Sequence, residues 1–387
     1  MGRYPWPLND GWKIRTFNLI KWMSLQGYVV DIVSYTNNDD ELSPDELCKY
    51  CRKIFYIKRK NKYELSDLMR GLFFRTPFSI INYYSNEMLN KILDIVDNNS
   101  YDLIQVEDIV MDKCISNQIN LPKILDMHNV ESELMKRYSD NEHNILKKLY
   151  ARLTASKLSK YEKSAIDSYN CLFVCSENDR KILLRNNTKF NIEIIPNGVD
   201  IAHYSYNKAE EEEENTLLFV GAMDYHANIS GIIHFIRNIF PSIKERNQSV
   251  KLRVVGKNPP KKLSDLADES IEIIGAVNDV RPYLYKATVV IVPLLVGGGT
   301  RLKILEAMAT KKAIVSTSVG CEGIPAINGE TISIADTKEE FIDAIMNYLN
   351  NKTLRNATGS RAYNFVSDNF DWMNIVNNMC LIHSRYI

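Results

Sequence analysis

Short runs rich in Val, Ile and Leu recur along the chain, separated by longer stretches in which apolar residues return every three or four positions. In the first half these runs are YVVDIVSY (28–35), DLIQVED (102–108), KILDM (123–127) and CLFVCS (171–176). In the second half they are TLLFVG (216–221), VKLRVVG (250–256), IEIIGA (271–276), TVVIVPL (288–294) and KAIVST (312–317). Continuous apolar strands alternating with helices predict parallel sheets buried on both faces. The two series are divided by IIPNGVDIAHYSYNKAEEEEEN (194–215), where a Pro-Asn-Gly turn runs into a polar stretch ending in glutamates, with no periodicity. The predicted fold class is α/β: two doubly wound, Rossmann-like domains whose parallel sheets face each other across a cleft. Ligands in such sheets bind beyond the carboxyl ends of the strands. The expected division is 1–198, 199–365 and a closing segment, 366–387, that returns to the first domain.

One strand end is unusual. After TVVIVPL come three consecutive glycines, Gly297–Gly299, then Thr300, Arg301, Lys303 and Glu306 in an amphipathic run. Glycines let backbone N–H groups approach an anion without a Cβ in the way, and a helix N-terminus adds roughly half a positive charge. Thr300, Lys303 and Glu306 recur every three residues and share one helical face; Arg301 lies off that stripe. An anion at the loop, a cation beside it and a carboxylate deeper along the helix suit a nucleoside diphosphate, with Glu306 accepting from ribose hydroxyls. An ordinary glycine-rich turn is the plainer reading. Leu302, Ile304, Leu305 and Met308 account for the core contacts of that helix and leave the polar stripe to explain.

Composition narrows the picture. The chain has 387 residues, is 45% hydrophobic and carries a formal net charge of zero, which gives no support to nucleic-acid binding by global charge. No apolar stretch reaches the roughly 18 residues a membrane span needs, and the N-terminus lacks the pattern of a leader, so a cytoplasmic location is expected. The seven cysteines suit reduced, packed thiols; Cys48 and Cys51 have metal-site spacing but no second pair follows.

Beyond this residue chemistry, the chain resembles the retaining GT-B glycosyltransferases of the large group called glycosyltransferase family 4. The resemblance rests on YPWPLNDGWKIRTFNLIKW (4–22), LDMHNVES (125–132), IIPNGVD (194–200), FVGAMDYHANISGIIHF (219–235), GGGTRLKILEAMA (297–309) and STSVGCEGI (316–324), in the family's order. It implies an enzyme that takes a sugar from a nucleotide sugar, held mainly by the C-terminal domain, and passes it with retention of configuration to an acceptor held by the N-terminal one. Two departures stand out. Glu306 matches the second of the family's two glutamates, whereas the first falls on Gly298. The usual diphosphate cations after the first strand of the second domain are replaced by Ala222 and Asn228. Lys303 and Arg301 are inferred to take over that electrostatic role. No Asp-x-Asp occurs in the chain, so no metal or other cofactor is expected at the diphosphate.

The resemblance also implies roles in the first domain. His128, just past KILDM and before a helix that Asn129 or Ser132 would cap, matches a histidine near the donor sugar and the acceptor hydroxyl. Asp10-Gly11-Trp12 matches a glycine loop that contacts donor phosphate, with Lys13 or Arg15 adding charge; a simple turn before a helix explains Gly11 as well. The expected catalytic set is His128, Lys303 and Arg301. The expected donor-binding set is Gly11, Arg15, Gly221, Gly298, Gly299, Thr300, Leu302 and Glu306. Only Met1-Gly2-Arg3 precede the YPWPLNDG loop, so the central first strand of such a sheet is expected to be missing, with neighbouring strands unpaired, and either the natural chain begins upstream or this domain is compromised.

LKKLYARLTASKLSKYEKSAI (146–166) holds six cations against one glutamate, with Leu146, Leu149, Tyr150 and Leu153 along one helical face. It reads as a core-packed helix with a solvated outer side, or as a helix that docks on anionic lipid at the inner face of the plasma membrane. The expected partners are a nucleotide sugar, a glycan or polyprenyl-diphosphate-linked acceptor and an anionic membrane surface, without nucleic acid. A nucleotide-sugar epimerase of the same architecture and a non-catalytic nucleotide-sugar-binding subunit are the rival readings.

Overall fold

A computed structural model describes residues 1–36, 44–59, 76–142, 144–185, 190–205, 211–297 and 300–387. The chain divides into two compact units, Met1–Pro196 with Ile375–Ile387, and Asn197–Asn374.

The second unit is built on one parallel sheet. Its strands are β7 (Thr216–Val220), β8 (Lys251–Val255), β9 (Ile271–Gly275), β10 (Val289–Val292), β11 (Ala313–Ser316) and β12 (Ser333–Ile334). They lie in the order β12-β11-β10-β7-β8-β9, every pair parallel. β10 and β11 are buried at every residue, which explains why they are apolar apart from Ser316, whose hydroxyl is hydrogen-bonded to the Val292 and Thr317 carbonyls: helices cover both faces. Phe219, Phe235, Phe341, Ile243 and Leu305 belong to the resulting core. Burial of each such side chain stabilises by roughly 1.5–3 kcal/mol. The strand order reverses between β7 and β10, and connections that leave a sheet in opposite directions open a crevice at the carboxyl ends of the two strands.

The glutamate run before β7 does more than link. Glu212 pairs with the buried Arg355 and with Lys312, and Glu213 pairs with Arg253 and Lys286, so the stretch that leads into this sheet is fastened to it. A short helix, Ile201–Tyr204, precedes it where the sequence shows no periodicity, because Asp200 caps it at His203 N–H and four residues leave no repeat to detect.

In the first unit, β3 (Ile104–Glu107), β4 (Lys123–Met127), β5 (Cys171–Val174) and β6 (Ile192–Ile194) form a parallel sheet in chain order. β1 (Asp31–Thr36) and β2 (Lys53–Lys58) form a separate parallel pair. Among the described residues no ladder joins β1 to β3. Met1 lies along β1 instead: its ammonium donates to the Val33 carbonyl at 2.7 Å and its carbonyl accepts from Tyr35 N–H at 3.3 Å. The strands the apolar pattern does not announce are β2, whose lysine ends and half-buried interior break the run, and the two- and three-residue strands β12 and β6. No helix among the described residues is long and apolar enough to cross a membrane.

Candidate active site

At this switch point of the second unit lie the segments that follow β7 and β10. The helix Leu302–Ala309 starts after the second of these segments, with Arg301 as its N-cap. Lys303 and Glu306 are therefore on its first turns, three residues apart on one face, while Thr300 precedes the helix. Lys303 Nζ donates to Asn228 Oδ1 at 2.8 Å, Asn228 Nδ2 donates to the Ala222 carbonyl at 2.8 Å, and the ammonium lies 4.5 Å from the Phe219 ring centre. Asn228 is buried on the helix His226–His234. It thus ties the loop after β7 to the lysine of the helix after β10. Gly221 makes this possible, because a Cβ there would stand 2.7 Å from Lys303 Nζ and 2.9 Å from Asn228 Nδ2. Its own N–H is spent on the Val255 carbonyl, so Gly221 serves by its missing side chain and not as an amide donor.

Burial and the nearby Arg301 lower the Lys303 pKa to about 7, with Glu306 acting against them. Burial raises the Glu306 pKa, opposed by a hydrogen bond from Tyr204 and by Lys303. The lysine is therefore a cation held where a cation is disfavoured, and an anion placed beside it would relieve that cost. Arg301 is itself buried and lies against Gly297, where a Cβ would come within 2.3 Å of its Nη2. Gly297 has φ of +140°, a conformation that side-chain-bearing residues rarely adopt. The Thr300 hydroxyl is buried and finds no hydrogen-bond partner among the described residues. Leu302 packs against the core cluster. Gly298 and Gly299 lie outside the described residues.

The first unit gathers a different set at the carboxyl ends of β3 and β4. His128 follows β4; its Nε2 lies 2.9 Å from Glu107 Oε2, and Glu107 Oε1 accepts from Gln105 Nε2 at 2.7 Å. The Trp12 ring stacks on the imidazole, centroids 5.5 Å apart and 21° from parallel. With a carboxylate at Nε2, that nitrogen carries the hydrogen and Nδ1 of the neutral ring is left as the basic atom. His128 holds Glu107 below the ordinary carboxylate range, aided by Gln105 and Arg15, against the upward push of burial.

Arg15 departs from the expectation for it. It is 1% exposed and makes a bidentate pair with Asp126, Nε to Oδ2 at 3.0 Å and Nη2 to Oδ1 at 2.9 Å, while Nη1 donates to the Pro196 carbonyl at 3.0 Å. A guanidinium so enclosed does not reach out to a phosphate; it supplies the charge that lets Asp126 and Glu107 lie side by side. Glu107, Asp126 and His128 bring ligand-type atoms within 4.8 Å of one another, but Asp126 spends both oxygens on Arg15. Gly11 is the first residue of the helix Gly11–Leu25, capped by Asp10, which accepts from Lys13 N–H at 3.0 Å. The helix after His128, Glu131–Asn141, has Val130 as its N-cap without a side-chain bond; Ser132 instead directs its N–H and hydroxyl to the buried Glu162, so neither Asn129 nor Ser132 caps it.

Tyr204, Glu107 and Asp126 were not singled out by sequence, and Asn228 and Trp12 were noted only as a replacement for a family cation and as part of the Asp10-Gly11-Trp12 loop. Each acts through a partner distant in the chain: the adjacency of β3 with β4 brings Glu107 to His128, and that of β7 with β10 brings Asn228 to Lys303.

Two units built on parallel, helix-covered sheets place the chain in the GT-B class of glycosyltransferase folds. Sucrose-phosphate synthase from Thermosynechococcus elongatus superposes with a TM-score of 0.73 at 16% identity, over 100% of this chain and 95% of that one. Anabaena HepE, solved in complex with UDP-glucose, superposes with a TM-score of 0.64 at 12% identity, over 99% of each chain. Residues 214–351 match the family described as "Glycosyl transferases group 1". The chain thus carries a group 1 glycosyltransferase domain in its second unit, within a full-length GT-B fold. A Klebsiella pneumoniae protein described as an "uncharacterized 44.6 kDa protein in cps region" is 26% identical over 388 residues, covering 95% of this chain and 94% of that protein.

Proposed function

We propose that the protein transfers a sugar, with retention of configuration, from a nucleotide-sugar donor to a glycan or polyprenyl-diphosphate-linked acceptor in bacterial surface-polysaccharide assembly, without a metal at the diphosphate. The observation that carries this reading is the Lys303 ammonium at the β7–β10 switch point, fixed by Asn228 against Gly221 and lowered in pKa to about 7. As the glycosidic bond to the donor breaks, negative charge accumulates on the leaving diphosphate; a positioned cation stabilises that charge more than the ground state. Arg301 and the Gly297–Thr300 loop add to the same field, and Glu306, oriented by Tyr204, accepts from the ribose hydroxyls. His128, oriented by Glu107, serves the sugar and acceptor hydroxyls through Nδ1.

A donor of the UDP-glucose kind gains support from the HepE complex, and a role in surface polysaccharide from the cps-region relative. Retention rests on the resemblance to family 4 alone. The test is product analysis with a panel of nucleotide sugars and a short-chain polyprenyl-diphosphate glycan, in excess EDTA. Transfer with an unchanged anomeric configuration is the expected result. An isomerised free sugar, or turnover that needs Mg²⁺ to return, would sink the proposal.

A further inference from the structure

The helix Ile145–Ile166 carries its apolar residues in the wrong place for a core helix. Its buried side is formed by Ala151, Leu158, Glu162 and Ala165. At 100° per residue, Leu146, Leu149, Tyr150 and Leu153 lie within about a third of a turn of one another on the opposite side, the i, i+3, i+4, i+7 spacing that normally marks a packed face. Here they are exposed: Ile145 80%, Leu146 77%, Leu149 57%, Leu153 50% and Tyr150 38%. The same outward line continues through Lys157 and Lys160. Lys147 and Arg152 flank it, Lys148 lies further round the helix, and the helix's one carboxylate, Glu162, is turned inward onto Ser132.

We infer that this face docks the protein on an anionic lipid bilayer. The leucines would enter the boundary between head groups and acyl chains while the lysines and Arg152 stay among the phosphates. Charge selects this occupant. A second copy packed on the same face would set its cations against an equal number, and a neutral apolar partner would leave them unanswered; an anionic surface matches both features at once. Glu142, held by Asn144 N–H at the start of the helix, is the carboxylate next to this face, against Lys147, Arg152, Lys157 and Lys160, so cations dominate around the exposed apolar residues, and such contiguous patches mark interaction sites. This inference does not rest on the proposed reaction.

Flotation of the full-length protein with phosphatidylcholine vesicles, alone or with about a third phosphatidylglycerol, tests it. The protein should float with the anionic vesicles and not with the neutral ones, and added salt should release part of it. Leu149→Asp with Leu153→Asp, and separately Lys147→Glu with Lys148→Glu, should each lower the bound fraction by about tenfold or more. All four positions are at or near the surface, so melting should be unchanged; Leu149→Gln with Leu153→Gln serves if the first pair lowers it. Binding that ignores vesicle charge, or variants that float like the wild type, would overturn the inference. So would a concentration-dependent dimer in sedimentation that the leucine variant abolishes while vesicles recruit nothing. Flotation needs no substrate, so its failure leaves the transfer reading untouched, and absence of transfer leaves flotation readable.

Discussion

The two ionic centres of this protein are built to opposite rules. In the first unit, Arg15 answers Asp126 with both arms of its guanidinium, and Glu107 is hydrogen-bonded by His128 and Gln105, so the buried carboxylates find their partners within the unit itself. In the second, Lys303 is met by a neutral amide and an aromatic face, next to a second cation, and burial disfavours its charged form more than Glu306 restores it. A self-satisfied network holds geometry. An under-satisfied cation keeps its electrostatic attraction in reserve for a ligand. On the proposed reading, one centre supports His128 and the other receives an anion.

The largest effect should come from breaking the satisfied centre. Asp126→Ala removes the bidentate carboxylate from the buried, charged Arg15, and stability should fall by about 3–5 kcal/mol, read by urea unfolding. Lys303→Ala, by contrast, removes a cation that burial already disfavours and should leave the unfolding midpoint nearly unchanged; equal losses in the two variants would erase the distinction drawn here.

Next in size is the orienting of His128. His128→Gln keeps a polar group toward Glu107 but no basic nitrogen, and transfer should drop by about 10² with nucleotide affinity within a few fold. Normal turnover in a folded variant would return His128 to a purely structural place.

Lys303→Ala should weaken nucleoside-diphosphate binding by roughly 1.5–3 kcal/mol, the scale of a charge-assisted hydrogen bond, measured by calorimetry. Its pH dependence sharpens the point. With a pKa of about 7 in the free protein, Lys303 is charged below neutrality, and a bound diphosphate favours the charged form. Wild-type affinity should therefore decline as pH rises from roughly 7 to 9, by at most about tenfold per unit, with proton uptake on binding. The alanine variant should show a flat profile over that range, and an equally steep one would mean that another group titrates.

Smallest are the two residues that hold the holders. Asn228→Ala and Tyr204→Phe should each cost about 1 kcal/mol of binding, the first felt with the diphosphate only and the second with the plain nucleoside as well. A loss in diphosphate alone from Tyr204→Phe would count against Glu306 as the ribose acceptor.

Much of the protein could be read directly from the chain. Nine apolar runs mark nine strands, eight in the two larger sheets and one, β1, in the separate pair, and TVVIVPL followed by glycines and the Lys303–Glu306 spacing pointed at the end of β10, next to the switch point. These features are local: a strand covered on both faces must be apolar throughout, and two residues three apart on a helix must share a face. Arg15 shows where such reading stops. In sequence it was a cation near a turn, next to a glycine, and suited a phosphate; in the fold it faces Asp126, 111 residues later.

Tertiary structure alone decided which charges are spent and which are in reserve. Desolvation and pairing depend on what surrounds a group in space, and a sequence carries no record of that. The same holds for Leu146, Leu149 and Leu153. Their spacing defines an amphipathic face, but only the packing of the Ile145–Ile166 helix determines that the face looks outward. Element type follows from near neighbours along the chain, whereas the protonation of Lys303, the enclosure of Arg15 and the exposure of that helix depend on contacts the chain makes only once folded.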